Sequence, residues 1–419
     1  METYANILLI AIPGFMVLVL IELAYGVWKK KQTYSLMDTL SSLSSGITNV
    51  LKDVFGIGLI LISYPFIKNM LAVTSIEETT WLYFTAFICI DFASYWNHRL
   101  NHSINVFWNR HIVHHSSEEF NLACALRQSI SSLLGFGALF LIPAALLGIP
   151  HKVIIVLAPI HLFGQFWYHT RHIGKLGWLE YIFVTPSQHR VHHAINPIYI
   201  DKNLGGIFSI WDRMFGTFQE ELEEEPCVFG TLKPVHTWNP ILINFQHNWG
   251  LAKDAWYTKS WKDKFRLWFM PTGWRPEDVA KRFPRPIVEN VFEQQKYTLN
   301  YSAKHKFIAV FHFVCLNTFV GYFLINFGEL TSTAQIAFGV LIFTTVFGFT
   351  SLMDGHRWAA QFEVSRALVG LAFLFIPMQP SAWESNFLLT IAMGLYFGFS
   401  LLISIWTYSS PPKRIIAAA

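Results

Sequence analysis

Charge is scarce in this chain. Asp, Glu, Lys and Arg make up 14% of its 419 residues, against roughly 25% in an ordinary soluble domain. No stretch has the basic density of a nucleic-acid tract, so nucleic acid is set aside as a partner. Cysteine is scarce as well. The four, Cys89, Cys124, Cys227 and Cys315, are scattered without a C-x-x-C pair, which excludes a zinc finger, a thioredoxin motif and an evident disulfide framework. No sequence repeat or low-complexity tract occurs. The first apolar run lacks a basic leader and a small-residue cleavage site, so it reads as an anchor and not as a cleaved signal peptide.

What the chain does have is apolar surface and histidine. Hydrophobic residues reach 53% and aromatics 16%, a balance that favours a membrane protein with Trp and Tyr at the interfaces. Apolar runs lie at about 6–28, 54–72, 81–97, 132–149, 152–169, 306–328, 334–350, 364–380 and 386–408. A span takes roughly 20 residues, so 132–149 and 152–169, joined by Gly148-Ile149-Pro150, make either a full hairpin or a shallow one. Lys29-Lys30-Lys31 after the first run and Lys413-Arg414 after the last put both ends on the cytoplasmic side. The hairpin returns the chain to the side it left, so His98–His115 and His169–His193 share a compartment. Residues 170 to about 304 read as a cytoplasmic cap, in which Ile207–Phe218 is either a membrane-surface helix or an ordinary amphipathic core helix. The predicted fold class is all-α: a multi-span integral membrane helix bundle with a cytoplasmic histidine-box di-metal cap, since an open sheet cannot satisfy its backbone in lipid. The predicted divisions are anchors at 1–80, a catalytic region at 81–225, an interfacial segment at 226–304 and a C-terminal bundle at 305–419.

Of the 17 histidines, 12 fall between His98 and His193. Positions i, i+3 and i+4 share a helix face. His98 and His102 form an i, i+4 pair. His111, His114 and His115 form an i, i+3, i+4 set, and His189, His192 and His193 repeat it. Such pairs can chelate one metal, while adjacent histidines diverge by about 100° and can reach two. His169, emerging from an apolar run as His98 does, is the ninth candidate ligand. His172 is a weaker candidate, and His161 lies inside a run. Lone histidines such as His151, His305, His312 and His356 read as packed or hydrogen-bonded residues. Imidazole alone does not choose among Zn, Cu, Fe and Ni. A site beneath apolar helices, where lipid chains enter, suits chemistry on an unactivated C–H bond. That needs a redox metal and O2, and two iron ions are the expectation.

Two carboxylates enter as candidate catalytic residues. Asp91 sits in an apolar run seven residues before His98, where an acid is functional by default and can orient a histidine. The alternative is a pair with Arg99. Glu119 follows the second box beside Glu118; both serve as acceptors or substrate contacts, or form a solvated pair. Arg127 and Gln128 could meet a polar head group.

HxxxH, HxxHH and HxxHH, in this order after membrane spans, resemble the fatty acid hydroxylase/sterol desaturase superfamily. The likeness is densest from about 85 to 220, in DFASYWNHRLNH, HHSSEEFNLACALRQS, QFWYHT and TPSQHRVHHAINPIYIDKNLGGIFSIWDRMFGTF. These segments are most similar to the members that act on ether lipids. The resemblance implies a non-haem di-iron monooxygenase that uses O2 and hydroxylates the carbon next to the ether oxygen of an alkylglycerol. The hemiacetal then falls apart to an aldehyde and a glycerol derivative, with tetrahydrobiopterin as electron donor. Where the family's first box carries a glutamate after the second histidine, this chain has Ser103. The rival readings are a fatty-acyl, sterol or carotenoid hydroxylase or desaturase of the same superfamily, a metal transporter, and a zinc-dependent lipid hydrolase. The expected location is the endoplasmic reticulum in a eukaryote or the inner membrane in a bacterium, with the active site facing the cytoplasm.

Overall fold

The computed structural model describes residues 2–57, 59–60, 62–132, 134–135, 137–374 and 387–414. The described residues are overwhelmingly helical, and their only sheets are two-stranded pairs of two residues each, 59–60 with 134–135 and 299–300 with 413–414. Four helices among them are long and apolar enough to cross a bilayer: Asn6–Trp28 within Glu2–Trp28, Ala303–Ile325, Ser332–Met353 and Phe387–Ser409.

The first helix presents one inward seam. Leu8, Ile12, Phe15, Val19, Glu22 and Gly26 alternate at spacings of four and three residues, which keeps them on one face, and each is buried or half-buried. Val17, Leu18, Leu20 and Ile21 on the other side are exposed, as a lipid-facing surface should be. The seam packs on helix Ala303–Ile325 and, through Phe15, on Phe163 and Phe166 with ring centroids 5.0 and 4.5 Å apart.

The expectation of a span at 54–72 is corrected. A helix runs from Leu36 to Val54, capped by the Ser35 hydroxyl on the Asp38 N–H, and a separate short helix covers Tyr64–Leu71. Helix Leu36–Val54 buries Ser41, Ser42, Ser44, Ser45 and Thr48. Small hydroxyl residues let neighbours approach: Ser41 donates to the Trp238 carbonyl, Ser45 to that of Gln128 and Thr48 to that of Ser45, while the Ser44 hydroxyl is buried without a partner. The third expected run opens helix Thr80–Ser103, which carries His98 and His102 in its last turns. Helix His151–Phe163 has 13 residues, about 20 Å long against a hydrocarbon core of roughly 30 Å. It lies behind the short turns at 137–146 and packs on helix Thr80–Ser103, which is the shallow hairpin.

Ile207–Phe218 is not a continuous amphipathic helix. Only Ile210–Phe215 is helical, ending at Gly216 with φ +75°, and the flanking backbone is tied down by side chains described below. The run at 364–380 is replaced by helix Arg357–Phe373; residues 375–380 lie outside the described residues. This helix carries a buried ion pair, Arg366 Nη2 to Glu363 Oε2 at 2.6 Å, shared with Tyr396, Ser400 and Thr345 from its neighbours. Buried charge is tolerated only with such full pairing. A Cβ at Gly348 would overlap the Glu363 carboxylate, so the pair seats itself where a neighbouring helix has no side chain.

Candidate metal centre

Three helices and one turn bring the nine candidate histidines together: Thr80–Ser103, Asn105–His115, the turn after His151–Phe163 that bears His169, and Pro186–His193. Pro186 opens the last helix at a position that needs no N–H. The histidines sort into two groups. His98, His102, His111, His115 and His192 form one, and His114, His169, His189 and His193 the other. Within each group one nitrogen per ring lies within 4.8 Å of every other. Adjacent histidines divide as their angular divergence predicts: 115 and 192 join the first group, 114 and 193 the second. The groups touch through the stacked rings of His115 and His193, 4.3 Å apart.

Hydrogen bonds at Nδ1 fix the direction of five rings. His98 meets the Leu204 carbonyl at 2.8 Å, His102 the Asp201 carboxylate at 3.0 Å and His192 the Lys202 carbonyl at 3.0 Å. His114 faces the Arg127 carbonyl at 3.3 Å and His169 that of Gln165 at 3.1 Å. An oxygen acceptor holds the proton on Nδ1 and leaves a lone pair on Nε2. The Nε2 atoms of these rings and of their neighbours converge: His98 to His111 2.8 Å, His111 to His115 3.0 Å, His115 to His192 3.0 Å, His169 to His189 2.8 Å and His189 to His193 3.0 Å. Protonation cannot relieve this crowding. Burial, then neighbouring imidazoles, push His98 and His114 down to about 3 and hold His111, His115, His169, His189, His192 and His193 well below the ordinary imidazole range. The His102 Nε2 is buried without any hydrogen-bond partner. Neutral rings with converging lone pairs are the donor set a divalent metal requires.

Sequence reasoning missed the loop that orients the first group. Asp201, Lys202 and Leu204 supply three of its Nδ1 acceptors from four consecutive residues. Asp201 and Asn203 adopt left-handed backbone, φ +58° and +53°, where Asp and Asn are favoured. Asp212 clamps the loop, accepting from the N–H groups of Leu204 at 2.6 Å and Gly205 at 2.8 Å. The string DKNLGG was the available signal.

The two carboxylates stand elsewhere. Asp91 is fully buried and accepts from His161 Nε2 at 2.6 Å, the Ile207 N–H at 2.8 Å, the Phe208 N–H at 3.1 Å and Trp211 Nε1 at 2.8 Å. It binds no clustered imidazole; it secures the segment that follows Leu204. Gly206 passes so close that a Cβ would lie 3.1 Å from Asp91 Oδ1. Arg99 bonds Tyr95 and the Phe215 carbonyl. Glu119 pairs with Lys296 and Glu118 accepts from the Tyr297 N–H at 2.5 Å, both beside a separate cleft. Arg127 is almost fully buried on Asp38 at 2.9 Å, which corrects its expected contact with a head group. His172 lies apart, edge-on to Tyr25. Ser103 is exposed and donates to the Arg99 carbonyl.

One cavity of about 650 Å³ opens onto both groups. His98, His111, His114, His169 and His189 line it, with Leu8, Ile12, Phe15, Phe163, Phe166 and Phe313 supplying apolar wall and Asn97, Asn101, Gln128 and Ser129 polar wall.

A membrane-embedded helical frame around a paired histidine centre, open to an apolar cavity, defines the class of histidine-box lipid enzymes. The fatty acid hydroxylase family profile matches residues 83–217. Alkylglycerol monooxygenase of Homo sapiens is 34% identical over 394 residues, covering 91% of this chain and 87% of its own. The protein of that name from Xenopus tropicalis is 34% identical, covering 86% and 80%. Ornithine lipid hydroxylase of Rhizobium tropici is 32% identical over 131 residues, or 31% of this chain and 40% of its own. No solved structure gives a significant match. The chain belongs to the alkylglycerol monooxygenase family within the fatty acid hydroxylase superfamily. It is an oxygen-dependent lipid monooxygenase of that superfamily.

Proposed function

We propose that each histidine group holds one iron ion and that the chain hydroxylates the alkyl chain of an ether-linked glycerolipid at the carbon beside the ether oxygen. The observation that carries this reading is the pair of neutral, lone-pair-converging imidazole groups at the wall of one apolar cavity. The first ion falls to His98, His102, His111, His115 and His192, the second to His114, His169, His189 and His193. Bound iron supplies the redox chemistry by which O2 oxidises an unactivated C–H bond, one oxygen atom going to the product and one to water. A tetrahydropterin is the proposed source of the two electrons this requires.

The chain's own residues bind, orient and exclude water. Leu8, Ile12, Phe15, Phe166 and Phe313 enclose the alkyl tail. Asn97, Asn101, Gln128 and Ser129 line the same cavity and offer hydrogen bonds to glycerol hydroxyls. The volume lies within the roughly 300–1,000 Å³ range of small-molecule pockets. Asp201, Lys202 and Leu204 keep protons on Nδ1, so the Nε2 lone pairs stay available. We place this centre on the cytoplasmic side, because Lys29–Lys31 end the first span beside the cap.

The test is product analysis on the purified, iron-loaded protein with a 1-O-alkylglycerol and, in parallel, a fatty-acyl lipid, each with O2 and tetrahydrobiopterin. Release of fatty aldehyde from the ether substrate is expected. Hydroxylated acyl lipid without ether cleavage would transfer the assignment to acyl-chain hydroxylation. Zinc as the resident metal, with O2-independent turnover, would overturn the oxygenase reading of the site.

A further inference from the structure

Glu22 is an acid within the first apolar helix, on its inward seam between Val19 and Gly26, and it is buried. A carboxylate there is costly unless partnered. Its partners come from three separate parts of the chain. Thr170 Oγ1 donates to Oε1 at 2.5 Å, the Leu122 N–H donates to Oε2 at 2.7 Å, and the Tyr34 hydroxyl also donates to Oε2. Burial, and then Glu22 itself, raise the Tyr34 phenol far above its ordinary range, so it remains a donor.

Two of these contacts end beside the second histidine group. Thr170 follows His169 directly, and its carbonyl accepts from Arg190 Nη1 at 3.0 Å, on the helix that carries His189 and His193. Leu122 lies two residues beyond Phe120. That ring stacks on His169 at 5.8 Å and meets His193 edge-on at 5.2 Å. The first group has its own clamp at Asp201–Leu204. The second has no comparable loop among the described residues. Its Nδ1 acceptors are two separate carbonyls, Arg127 for His114 and Gln165 for His169, and His189 Nδ1 is buried without a partner.

We propose that Glu22 is a positioning residue for the second histidine group, holding the His169 turn and the Phe120 segment in place from the membrane anchor. This rests on the reading that His114, His169, His189 and His193 take up a metal ion.

The test compares Glu22→Ala, Glu22→Gln, Thr170→Val and Tyr34→Phe in detergent-purified full-length protein. Fe(II) binding is titrated anaerobically and counted per chain. Hydrogen–deuterium exchange of the metal-free protein is followed at 165–173, 118–124 and 98–102. Glu22→Ala should weaken the second site about tenfold, at the lower end of what loss of a ligand-orienting contact costs, and leave the first site unchanged. Exchange should rise at 165–173 and 118–124 only. Thr170→Val should act in the same direction, Tyr34→Phe should bind iron like the parent, and Glu22→Gln, which retains one acceptor oxygen, should recover part of the loss. Unchanged iron affinity in Glu22→Ala, or equal weakening of both sites with exchange rising at 98–102 as well, would overturn the proposal. If Glu22→Ala does not fold, Thr170→Val decides: behaviour matching Tyr34→Phe refutes the assignment. A parent protein that takes up no iron would defeat the metal reading, while the exchange data would still judge Glu22.

Discussion

Asp91 separates a structural from a chemical reading most sharply. It accepts four hydrogen bonds, two on each oxygen: His161 and Ile207 on Oδ1, Phe208 and Trp211 on Oδ2. Asp91→Asn preserves shape but turns one oxygen into an N–H2 group. Whichever way the amide sits, two donors then face a donor. Each buried unsatisfied donor costs about 1–3 kcal/mol, so the loss is about 4 kcal/mol, a large fraction of a typical stability of roughly 5–15 kcal/mol. Gln165 Nε2 donates to His161 Nδ1 at 3.1 Å, which keeps the proton on His161 Nε2; with the amide oxygen toward His161 and Ile207, Phe208 and Trp211 are left opposed. Trp211→Phe removes one of those donors. The double variant should therefore recover about 1–2 kcal/mol relative to Asp91→Asn, a non-additivity expected of direct contacts. Thermal denaturation in detergent, followed by tryptophan fluorescence and by aggregation, measures this for the single, the double and the parent. A normally stable Asp91→Asn protein that binds iron as the parent does but turns over slowly would refute the reasoning and make Asp91 a participant in the reaction.

Four further outcomes are expected. Asp201→Ala removes the Nδ1 acceptor of His102 from an exposed loop position, so metal affinity should fall about 10–100-fold, with about 1 kcal/mol of stability lost because Ala is strained at φ +58°; Asp201→Asn, which keeps both the acceptor and the left-handed preference, should restore most of each, and equilibrium Fe(II) titration decides. His111, His115, His169, His189, His192 and His193 exclude protons that the unfolded chain takes up below about pH 6.5, and His98 and His114 resist protonation down to about 3. Stability of the metal-free protein should therefore be complete above pH 6.5 and decline as pH falls between those limits, and denaturation midpoints that are flat from pH 7 to pH 4 would contradict this. Ile12→Trp fills part of the cavity wall and should reduce kcat/KM for long alkyl chains about tenfold more than for short ones, the order set by an overpacking cost of roughly 1–3 kcal/mol; a chain-length series in the aldehyde assay tests it. Gly348→Ala displaces Glu363 from its seat beside Arg366 and should lower thermal stability without changing iron stoichiometry.

The histidine sorting was legible in the letters because helix geometry is local: His114 and His115 diverge within one turn wherever that helix is placed. The long apolar runs were legible for the same reason. Helix Leu36–Val54 was not, because its buried serines register as polar on any hydropathy scale although the hydroxyls of Ser41, Ser42 and Ser45 find acceptors inside the protein. The run at 54–72 looked continuous because apolarity alone does not reveal where Gly56 and Pro65 interrupt a helix. Asp91 was noticed as an acid in an apolar run, but its partners at Ile207, Phe208 and Trp211 lie more than a hundred residues away, and nothing local announces them. Glu22 carries the same signal, but a single acid does not stop a segment from spanning, so the sequence alone does not set it apart. The Asp201–Leu204 clamp required knowing that three carbonyl and carboxylate oxygens of one tight loop would meet rings from two helices.

The inward seam of the first helix has a consequence for how this enzyme can change. Leu8, Ile12 and Phe15 line the cavity wall near one end of the helix, and Glu22 reaches the His169 turn near the other. On the proposed function, substrate length and the order of the second histidine group are thus set by a segment that carries none of the nine histidines. Successive seam positions lie about one helical turn, or about 5.4 Å, apart, so a substitution at one of them would alter which alkyl lengths fit while the nine histidines stay fixed. It also means the anchor cannot be exchanged for another membrane tether: a catalytic region cut free at residue 81 would lose one wall of its pocket and a brace of its second histidine group together.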